Sequence, residues 1–437
     1  MKRALILLSS SVVTAGAVIY LTGALGCSLP KTHIAQRKVY DGAAATRFAA
    51  AEDWPGWRGP RGDQISRETV PDRFPEGGPK QLWAADVGLG YSSPIAAGGR
   101  VYLFSMNDGK DTLTAFDANA GTIAWSAEGG PGWTSSYVGS RATPAIDDDR
   151  IYTYGGQGEL ICRNLADGKP RWRFDVLAAT GAKPLGWGMA SSPLVAGNLV
   201  YVQSGIGGAV AVAVDKGTGL LAWKSEATGV GGYAHPITAD VAGQQQLIVF
   251  GGTTVYGMDP LTGRTLWQYP WTTSFEVNAS APIYHDGKLF VTSEYDHGCL
   301  QLALTSTGAA KIWENKSILG KFQGAILDNG YLYANSAGTL VCVDWNDGTL
   351  KWKATDTKLR LGIGGSLIRV GGDKLLLMSE RGKLTVARAT PQAVDPLDQA
   401  QVIDGKEVWA TPVLYGGRLY AKGAQELICL DLGELKR

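Results

Sequence analysis

The side chains that could catalyse a reaction are few in this chain of 437 residues, and their spacing assembles no catalytic set. The four histidines stand far apart, so no Ser/His/Asp arrangement follows from their positions: His33, His235, His285 and His297. The five cysteines include no CxxCH haem-attachment motif and no pair at zinc-ligand spacing. We therefore predict no catalytic residue and no metal site. This favours a protein without enzymatic activity and leaves the question open.

The most regular carboxylates are four aspartates that share one position of a recurring segment, each ahead of a glycine turn: Asp117, Asp215, Asp259 and Asp344. An aspartate at such a position accepts hydrogen bonds from the backbone N–H groups of the turn and fixes its conformation. We predict that these four residues are structural and not catalytic.

A further set of residues mixes aromatic rings with polar groups, a composition typical of binding surfaces. These residues precede one recurring strand: Trp133, Tyr137, Arg141, Trp187, Met189, Tyr233, His235, Glu276, Asn278, Phe322, Gln323 and Trp409. If that strand is the innermost of a ring of sheets, its leading segments meet at one face of a central channel. We predict that they bind a ligand or partner there. The alternative is that they pack between the sheets and fill the channel.

Internal repeats would position these residues. A strand that follows a Gly or Asp turn recurs about every 42 to 50 residues, as GRVYLF at Gly99, GKLFVT at Gly287 and GRLYAK at Gly417. A second landmark is Asp, then Gly, then Trp, as in DANAGTIAW ending at Trp125 and DWNDGTLKW ending at Trp352. Short period-two runs broken by Gly, Asn and Asp predict four-stranded antiparallel units, of which we count eight.

The last unit, from Ala410 to Leu432, contains only three strands. The missing strand is at the other end of the chain, in residues 81–85, where Trp83 has the place of a unit-ending tryptophan. We therefore predict an all-β fold, an eight-bladed β-propeller over residues 82–437. Its ring closes when the N-terminal strand pairs in the last blade.

Three of the cysteines occupy one position of the repeat, where other units carry Ala or Gly: Cys162, Cys342 and Cys429. A small buried residue is expected there, and free cysteine behaves as one. Equivalent positions of different blades are kept apart by packing, so we predict no disulfide between them.

Residues 1–27 predict a targeting segment outside the fold. Lys2 and Arg3 precede an uncharged apolar run, and Gly26 and Cys27 follow it as in a bacterial lipobox. In one interpretation Cys27 becomes the lipidated N-terminus. In the other, the apolar run of about 22 residues remains as a membrane anchor. Both place the propeller outside the cytoplasm, and we expect the periplasmic face of the outer membrane.

Residues 28–53 are polar and Ala-rich and predict a tether. Residues 54–81 begin with WPGWRGP and predict an N-terminal cap. We expect Trp54 and Trp57 to pack over one mouth or flank of the propeller, since aromatic-rich segments mostly bury area. The alternative is that Arg58 binds an anionic ligand.

The units resemble those of the PQQ-like (quinoprotein-type, pyrroloquinoline-quinone) propeller family over residues 82–432, with a small residue, Asp, Gly and then Trp. The WPGWRGP opening resembles PQQ-like repeat proteins of environmental bacteria. With the lipobox and eight blades, the chain also resembles the B lipoproteins of the outer-membrane β-barrel assembly machine. That resemblance implies a non-enzymatic scaffold.

The sequence departs from the quinoprotein alcohol dehydrogenases. That family implies a vicinal disulfide, a calcium ion beside the quinone and a catalytic aspartate, whereas no two cysteines are adjacent here. The nearest calcium ligands are Glu276 and Asn278, with no identifiable third. Repeat similarity implies the fold and not bound quinone, so we expect no cofactor, with PQQ and calcium only under the quinoprotein alternative.

The sequence therefore favours a membrane-tethered, non-catalytic propeller that binds a protein or peptide partner in the cell envelope. We expect the propeller to be monomeric and to act in envelope or outer-membrane protein assembly. The alternatives are a PQQ-dependent oxidoreductase and a small-ligand or carbohydrate sensor. A net charge of +1 without a basic run argues against a nucleic-acid partner.

Overall fold

The computed structural model describes residues 36–39 and 51–432, and within these ranges the chain is almost entirely β-strand. Its strands form eight antiparallel blades that follow one another along the chain. The predicted eight-bladed β-propeller is thereby confirmed.

Each of the first four blades contributes four strands to the ring. Blade 1 contains Ile95–Ala97, Arg100–Asn107, Lys110–Asp117 and Ile123–Pro131. Blade 2 contains Ala145–Asp147, Arg150–Tyr154, Glu159–Asn164 and Pro170–Asp175. Blade 3 contains Leu194–Ala196, Leu199–Gln203, Ala211–Asp215 and Leu221–Lys224. Blade 4 contains Ile237–Val241, Gln244–Phe250, Thr254–Met258 and Thr265–Pro270.

The other four blades repeat this arrangement. Blade 5 contains Ile283–His285, Lys288–Ser293, Gly298–Leu304 and Ala309–Asn315. Blade 6 contains Ile326–Asp328, Tyr331–Ser336, Thr339–Asp344 and Leu350–Lys353. Blade 7 contains Ser366–Val370, Lys374–Met378, Lys383–Ala389 and Val394–Gln401. Blade 8 contains Val413–Tyr415, Arg418–Lys422, Glu426–Asp431 and, from the other end of the chain, Lys80–Asp86.

Short elements decorate the ring. A helix, Val176–Thr180, follows blade 2, and 3₁₀ turns occupy Ser274–Glu276 and Thr357–Leu359. A separate two-stranded ribbon beside blade 3 joins Ile206–Ala209 to Thr228–Val230. Two strands extend existing blades: Gln36–Val39 lies beside Lys80–Asp86, and Ile65–Ser66 runs parallel to Ser366–Val370.

Closure of the ring follows the predicted register. Trp83 lies opposite Cys429, and Ala85 lies opposite Leu427, so the N-terminal strand becomes the outer strand of blade 8. This confirms that the first strand of the ring completes the last blade.

The Asp–Gly–Trp landmark is a contact between neighbouring blades. The indole of Trp83 packs on Gly121 of blade 1 and donates a 3.2 Å hydrogen bond to the carbonyl of Ala118. Gly121 has a φ of +71°, and a Cβ there would lie 2.6 Å from the indole, so the position requires glycine. Asp117 fixes the same turn by accepting hydrogen bonds from the N–H groups of Asn119 and Ala120.

The same contact recurs around the ring. The outer-strand tryptophan of one blade donates to a carbonyl of the next through Trp125, Trp172, Trp223, Trp313 and Trp352. The other three landmark aspartates, Asp215, Asp259 and Asp344, accept backbone N–H bonds within their turns as Asp117 does. Their predicted structural role is thereby confirmed.

The small-residue position of the repeat faces these tryptophans. Cys162 lies opposite Trp172, Cys342 opposite Trp352 and Cys429 opposite Trp83, all three cysteines being fully buried. The four cysteines within residues 51–432, these three and Cys299, are free thiols.

Residues 54–70, named here the plug segment, lie across the channel where the innermost strands end. Trp54 forms a backbone bridge with Ala96 of blade 1, and the carbonyl of Pro55 accepts from Ile146 of blade 2. On the far side, the Glu68 carboxylate accepts from the N–H groups of Gly416 and Gly417 in blade 8, at 2.7 and 2.8 Å. The plug segment therefore fastens blades on both sides of the ring's closure.

Arg58 is used inside this plug segment. Its guanidinium donates to the carbonyls of Gly62 and Ala325, at 2.8 and 2.7 Å, and to the side chain of Gln64. Burial lowers the pKa of Arg58 to about 10. These contacts agree with the packing interpretation of the segment.

Within residues 36–39 and 51–432, the structure contains no helix long and apolar enough to cross a bilayer. The predicted targeting segment, residues 1–27 with Cys27, and most of the predicted tether lie outside the described residues.

Candidate functional site

A cavity of about 360 Å³ opens at the end of the channel where the innermost strands begin, and Trp57 of the plug segment forms part of its lining. Its walls follow one rule of the repeat, because the residue immediately before each innermost-strand motif faces inward. Seven of the eight such residues line the cavity: Tyr91, Arg141, Ala190, Tyr233, Ala279, Phe322 and Trp409. At the eighth position, Gly364, the indole of Trp409 packs so closely that a Cβ would lie 1.9 Å from it.

Eight aromatic rings line this cavity: Trp57, Tyr91, Tyr137, Trp187, Tyr233, Tyr295, Phe322 and Trp409. Most of them brace one another. Trp409 stacks against Tyr91 and packs against Phe322, with ring centroids 5.0 Å apart in both pairs. Trp187 and Tyr233 meet edge to face at 6.1 Å on the opposite wall. Trp57 comes from the plug segment, which also borders a small second void behind it.

A row of three hydrogen bonds joins neighbouring blades beneath the aromatic layer. The backbone N–H of Thr411 donates to Ser93 Oγ at 2.9 Å, that of Ser93 to Thr143 Oγ1 at 3.2 Å, and that of Thr143 to Ser192 Oγ at 2.9 Å. Each bond joins one blade to its neighbour, across blades 8, 1, 2 and 3. Because these bonds are buried, they hold the blades, and with them the loops above, at fixed spacing.

His235 occupies in blade 4 the repeat position that Ser93, Thr143 and Ser192 occupy in blades 1, 2 and 3. Its Nδ1 lies 3.0 Å from the carbonyl oxygen of Ser192, which can only accept, so Nδ1 carries the proton. Burial lowers the pKa of His235 to about 4, which keeps the ring neutral at physiological pH. Its Nε2 therefore carries no proton and can accept a hydrogen bond.

Arg141 brings a positive charge to the cavity. Its guanidinium donates to the carbonyls of Gly139 at 2.8 Å, Ser136 at 3.0 Å and Tyr137. It lies 5.8 Å from the ring centroid of Trp133. Burial lowers the pKa of Arg141 to about 10, so the group remains a cation at neutral pH. Among the described residues, no carboxylate forms an ion pair with it.

Two other charged side chains line the cavity, Lys321 and Glu380. The Lys321 ammonium lies 3.4 Å from the Glu294 carboxylate and 4.7 Å from the Tyr295 ring centroid. The Glu380 carboxylate accepts from the backbone N–H of Gly364 at 3.2 Å. Lys321 thus has a counter-ion, unlike Arg141.

Buried amide side chains fix the loops that carry these residues. Gln203 donates to the carbonyls of Ala234 and Phe250, at 2.7 and 3.1 Å, and accepts from the N–H of Gly232 at 2.6 Å. The loop that carries Tyr233 and His235 is therefore held by one side chain on three backbone groups. Such bonds position the site before any ligand arrives.

Five non-glycine residues in the loops around the cavity have left-handed backbone. Tyr137, Tyr295 and Glu407 have φ of 55°, 62° and 61°, and Phe275 and Glu276 have 66° and 56°. Non-glycine residues adopt this left-handed region only where the surroundings enforce it, and such positions cluster at functional sites. The Phe275 ring contacts Tyr295 edge to face at 5.6 Å, so this strained segment adjoins the cavity wall.

The structure brings together eight of the twelve residues proposed from sequence: Tyr137, Arg141, Trp187, Tyr233, His235, Phe322, Gln323 and Trp409 line the cavity. Four do not line it. Trp133 is buried behind Arg141, Met189 is fully buried in the core between blades 2 and 3, and Glu276 is exposed outside the cavity. That these residues bind a ligand stays a prediction.

Asn278, the fourth, is committed to the fold. Its Nδ2 donates to the carbonyls of Gly251 and Gly252 at 2.8 and 3.0 Å, and its Oδ1 accepts from Ser293 at 2.7 Å. The side chain is completely buried. It has a structural role in fixing the loop below the cavity.

Sequence reasoning missed several lining residues. The rule described above would have found Tyr91, which stands directly before Ser92 as Trp409 stands before Ala410. Lys321 and Tyr295 have no such signal. Tyr295 belongs to the turn between the second and third strands of blade 5, and only the folded ring brings that turn to the cavity.

The sequence of residues 127–354, just over half of the 437 residues, matches the profile of a family described as "Outer membrane protein assembly factor BamB". The chain belongs to this family. A curated relative of the BamB-family chain is tetrathionate hydrolase of Acidithiobacillus ferrooxidans, 24% identical over 226 residues. That match covers 51% of this chain and 38% of the hydrolase, so the chain spans well under half of that relative.

Solved structures similar to this BamB-family propeller include BamB from Moraxella catarrhalis, with a TM-score of 0.58 and 16% identity over 80% of this chain and 97% of that one. Quinohemoprotein alcohol dehydrogenase from Comamonas testosteroni has a TM-score of 0.63 and 13% identity over 88% of this chain and 81% of that one. At these identities the similarity shows the fold alone.

The two residues nominated from sequence as calcium ligands are not placed to hold one ion. Glu276 is exposed outside the cavity, and Asn278 spends its amide on backbone carbonyls and Ser293. The part of the chain that the structure describes contains no group of three or more His, Cys, Asp or Glu side chains placed to hold a metal ion. The residues that sequence nominated as calcium ligands therefore cannot serve together.

Proposed function

We propose that this BamB-family propeller is a non-catalytic scaffold of the cell envelope that binds a protein or peptide partner at its aromatic cavity. Residues 1–27 tether it to a membrane, by a lipid on Cys27 or as an uncleaved anchor, with the propeller on the periplasmic side. Its place is in outer-membrane or envelope protein assembly, as in the description of its family.

The observation that carries this proposal is apolar surface at the cavity rim. Phe275, Tyr137 and Ile363 keep 72%, 46% and 43% of their surface exposed, although each is large and apolar. Contiguous apolar surface rimmed by polar groups is typical of protein-interaction sites. The rings lie on strained, hydrogen-bonded loops, so the surface is formed in advance of binding.

The cavity chemistry also supports a binding role over a catalytic one. His235 is neutral with its Nδ1 proton donated to a carbonyl, and no carboxylate or nucleophile lies beside it in an arrangement for proton transfer. A sensor of small ligands or carbohydrates is the second candidate, because the plug segment lies across the far end of the channel and makes the cavity a dead end.

Affinity capture from solubilised envelope extracts tests the binding role. We expect the wild-type protein to retain partners that Trp187→Ala and Tyr233→Ala lose, by about 30-fold in affinity if these rings are central to the interface. Leu261→Ala is the matched control, since Leu261 is 75% exposed on an outer turn of blade 4. Equal retention by all variants would refute the cavity as the binding site. Turnover of a redox dye with added quinone and calcium would refute the non-catalytic assignment.

Mass spectrometry of the protein from native membranes tests the tether. We expect either an acylated Cys27 at the mature N-terminus or an intact N-terminal segment in the membrane fraction. A mature chain that begins after Cys27 and leaves the membranes on salt washing would contradict the tether.

A further inference from the structure

The chemistry of the cavity also indicates what part of a partner it receives, an inference that rests on the proposed scaffold function. Arg141 is the starting point. Placing a cation in a partly desolvated site is unfavourable unless hydrogen bonds or an opposite charge compensate it. Carbonyls of three residues supply part of this compensation, and the buried Asp111 carboxyl adds a Coulombic attraction, but no carboxylate of the described residues forms an ion pair with Arg141.

The other cation is already neutralised. Lys321 has Glu294 at 3.4 Å, so an incoming anion gains less there. The Glu380 carboxylate accepts from the backbone N–H of Gly364, and it forms no ion pair with Arg141. A carboxylate in direct contact is therefore what Arg141 lacks among the described residues, and a charge-assisted bond to guanidinium is among the stronger hydrogen bonds available.

The walls around Arg141 favour an aromatic side chain of the partner. The Tyr91 ring lies 6.0 Å from its guanidinium carbon, and Trp409 and Tyr137 continue that aromatic wall with centroids 5.4 Å apart. Trp187 and Tyr233 form the facing wall. A volume of about 360 Å³ accommodates one aromatic side chain with its neighbours on a chain, and aromatic pairs add to the area they bury.

Two acceptors point to a peptide backbone. His235 and Glu380 both line the cavity, and the unprotonated Nε2 of His235 and the Glu380 carboxylate can accept hydrogen bonds, which the N–H groups of a peptide provide. The exposed rings of Phe275 and Tyr137 at the rim would be covered by a chain that continues outward. A free aromatic acid would supply neither the backbone donors nor this cover.

We propose that the cavity binds a peptide segment of a partner protein in which an aromatic side chain stands beside an acidic one. The aromatic ring packs between the Trp409 and Trp187 walls, and the carboxylate meets the Arg141 guanidinium. The Arg141 wall thus sets the preference for acid, and the rings set the preference for an aromatic side chain.

Isothermal titration calorimetry with blocked hexapeptides tests this. The probes are acetyl-GSFESG-amide, the same peptide with Gln for Glu, with Ala for Phe, and with Lys for Glu, and free N-acetylphenylalanine. We expect the Glu peptide to bind about 10- to 100-fold more tightly than the Gln peptide, the range of a hydrogen bond to a charged group. The Ala and Lys peptides and the free acid should bind weakly.

The discriminating readout is the ratio of Glu-peptide to Gln-peptide affinity. In Arg141→Met this ratio should fall to about 1, and Arg141→Lys should restore part of it, whereas a merely structural loss would weaken both peptides equally. Trp187→Ala should weaken both and keep the ratio. A wild-type ratio near 1, or free acid binding as tightly as peptide, overturns the inference. If partner capture depends on Trp187 while all peptides fail, the scaffold function stands and this docking chemistry is wrong.

Discussion

The buried carboxyl of Asp111 gives the sharpest test of the structure. Asp111 lies on the third strand of blade 1, 3% exposed, and accepts a 2.6 Å hydrogen bond from Ser140 Oγ. Burial raises its pKa from 3.8 to about 6, and the nearby charge of Glu159 adds to the rise. Because Ser140 precedes Arg141, this carboxyl also anchors the loop that carries the cavity's cation.

The sign and size of the effect follow from linkage. The folded protein binds the Asp111 proton more tightly than the unfolded chain does, so the contribution of this group to the free energy of unfolding falls as pH rises from about 4 to about 6. A shift of about two pKa units corresponds to about 3 kcal/mol lost above pH 6. Asp111→Asn removes this titration, since an amide has no charge to desolvate.

Urea unfolding at pH 4, 5, 6 and 7, followed by tryptophan fluorescence, measures the effect. We expect the stability of Asp111→Asn relative to wild type to increase by about 3 kcal/mol across this range. Asp148→Asn, in an exposed turn of blade 2, is the matched control and should show no such trend. A constant difference between Asp111→Asn and wild type would refute the reasoning. If the stability difference from wild type changes with pH for Glu159→Gln and not for Asp111→Asn, Asp111 is not the source of the effect.

Three further predictions follow from contacts in the ring. Glu68→Ala should lower the free energy of unfolding by about 3 kcal/mol, because it leaves the N–H groups of Gly416 and Gly417 buried without their acceptor; urea unfolding measures this, and an unchanged midpoint would contradict it. Gly257→Ala should cost about 1–3 kcal/mol, because the new Cβ would lie 2.1 Å from the Trp267 indole, whereas Ala213→Gly at the equivalent position should cost less; thermal unfolding in the opposite order would exclude this explanation. Burial raises the thiol pKa of Cys162 and Cys342 to about 11 and that of Cys299 and Cys429 to about 12. A disulfide reagent at pH 8 should therefore modify none of these thiols until the protein unfolds. Rapid labelling of the folded protein would contradict this and show that these blades open.

The propeller could be predicted from sequence because the landmark residues of the repeat contact one another in the folded protein. The glycine after Asp117 is required by the ring of Trp83, and the small residue at position 429 is required by the same tryptophan from within its own blade. A pattern of single residues therefore encodes both the blade and its neighbour. Such a pattern can be recognised in a single sequence, because it recurs within the chain.

The cavity was predictable only in part. Side chains alternate in direction along an extended segment, so Ala190 and Ala279 face the cavity while Met189 and Asn278, one position earlier, point into the blades. Choosing residues by type alone therefore included two that are structural. Tyr295 and Glu380 reach the cavity from the turn between the second and third strands of blades 5 and 7, which lies outside the landmarks of the repeat, so the pattern did not indicate them.

Closure of the ring by Lys80–Asp86 has a consequence for biosynthesis. This strand is made early, but its partner Glu426–Asp431 is roughly 350 residues later in the chain, and pairing at so large a sequence separation is slow. Until translation reaches the last strand of blade 8, the strand that carries Trp83 lacks its partner and remains available to wrong ones. Folding of this protein should therefore be limited by the arrival of its last three strands, and a nascent chain that ends before Glu426 should depend on chaperones.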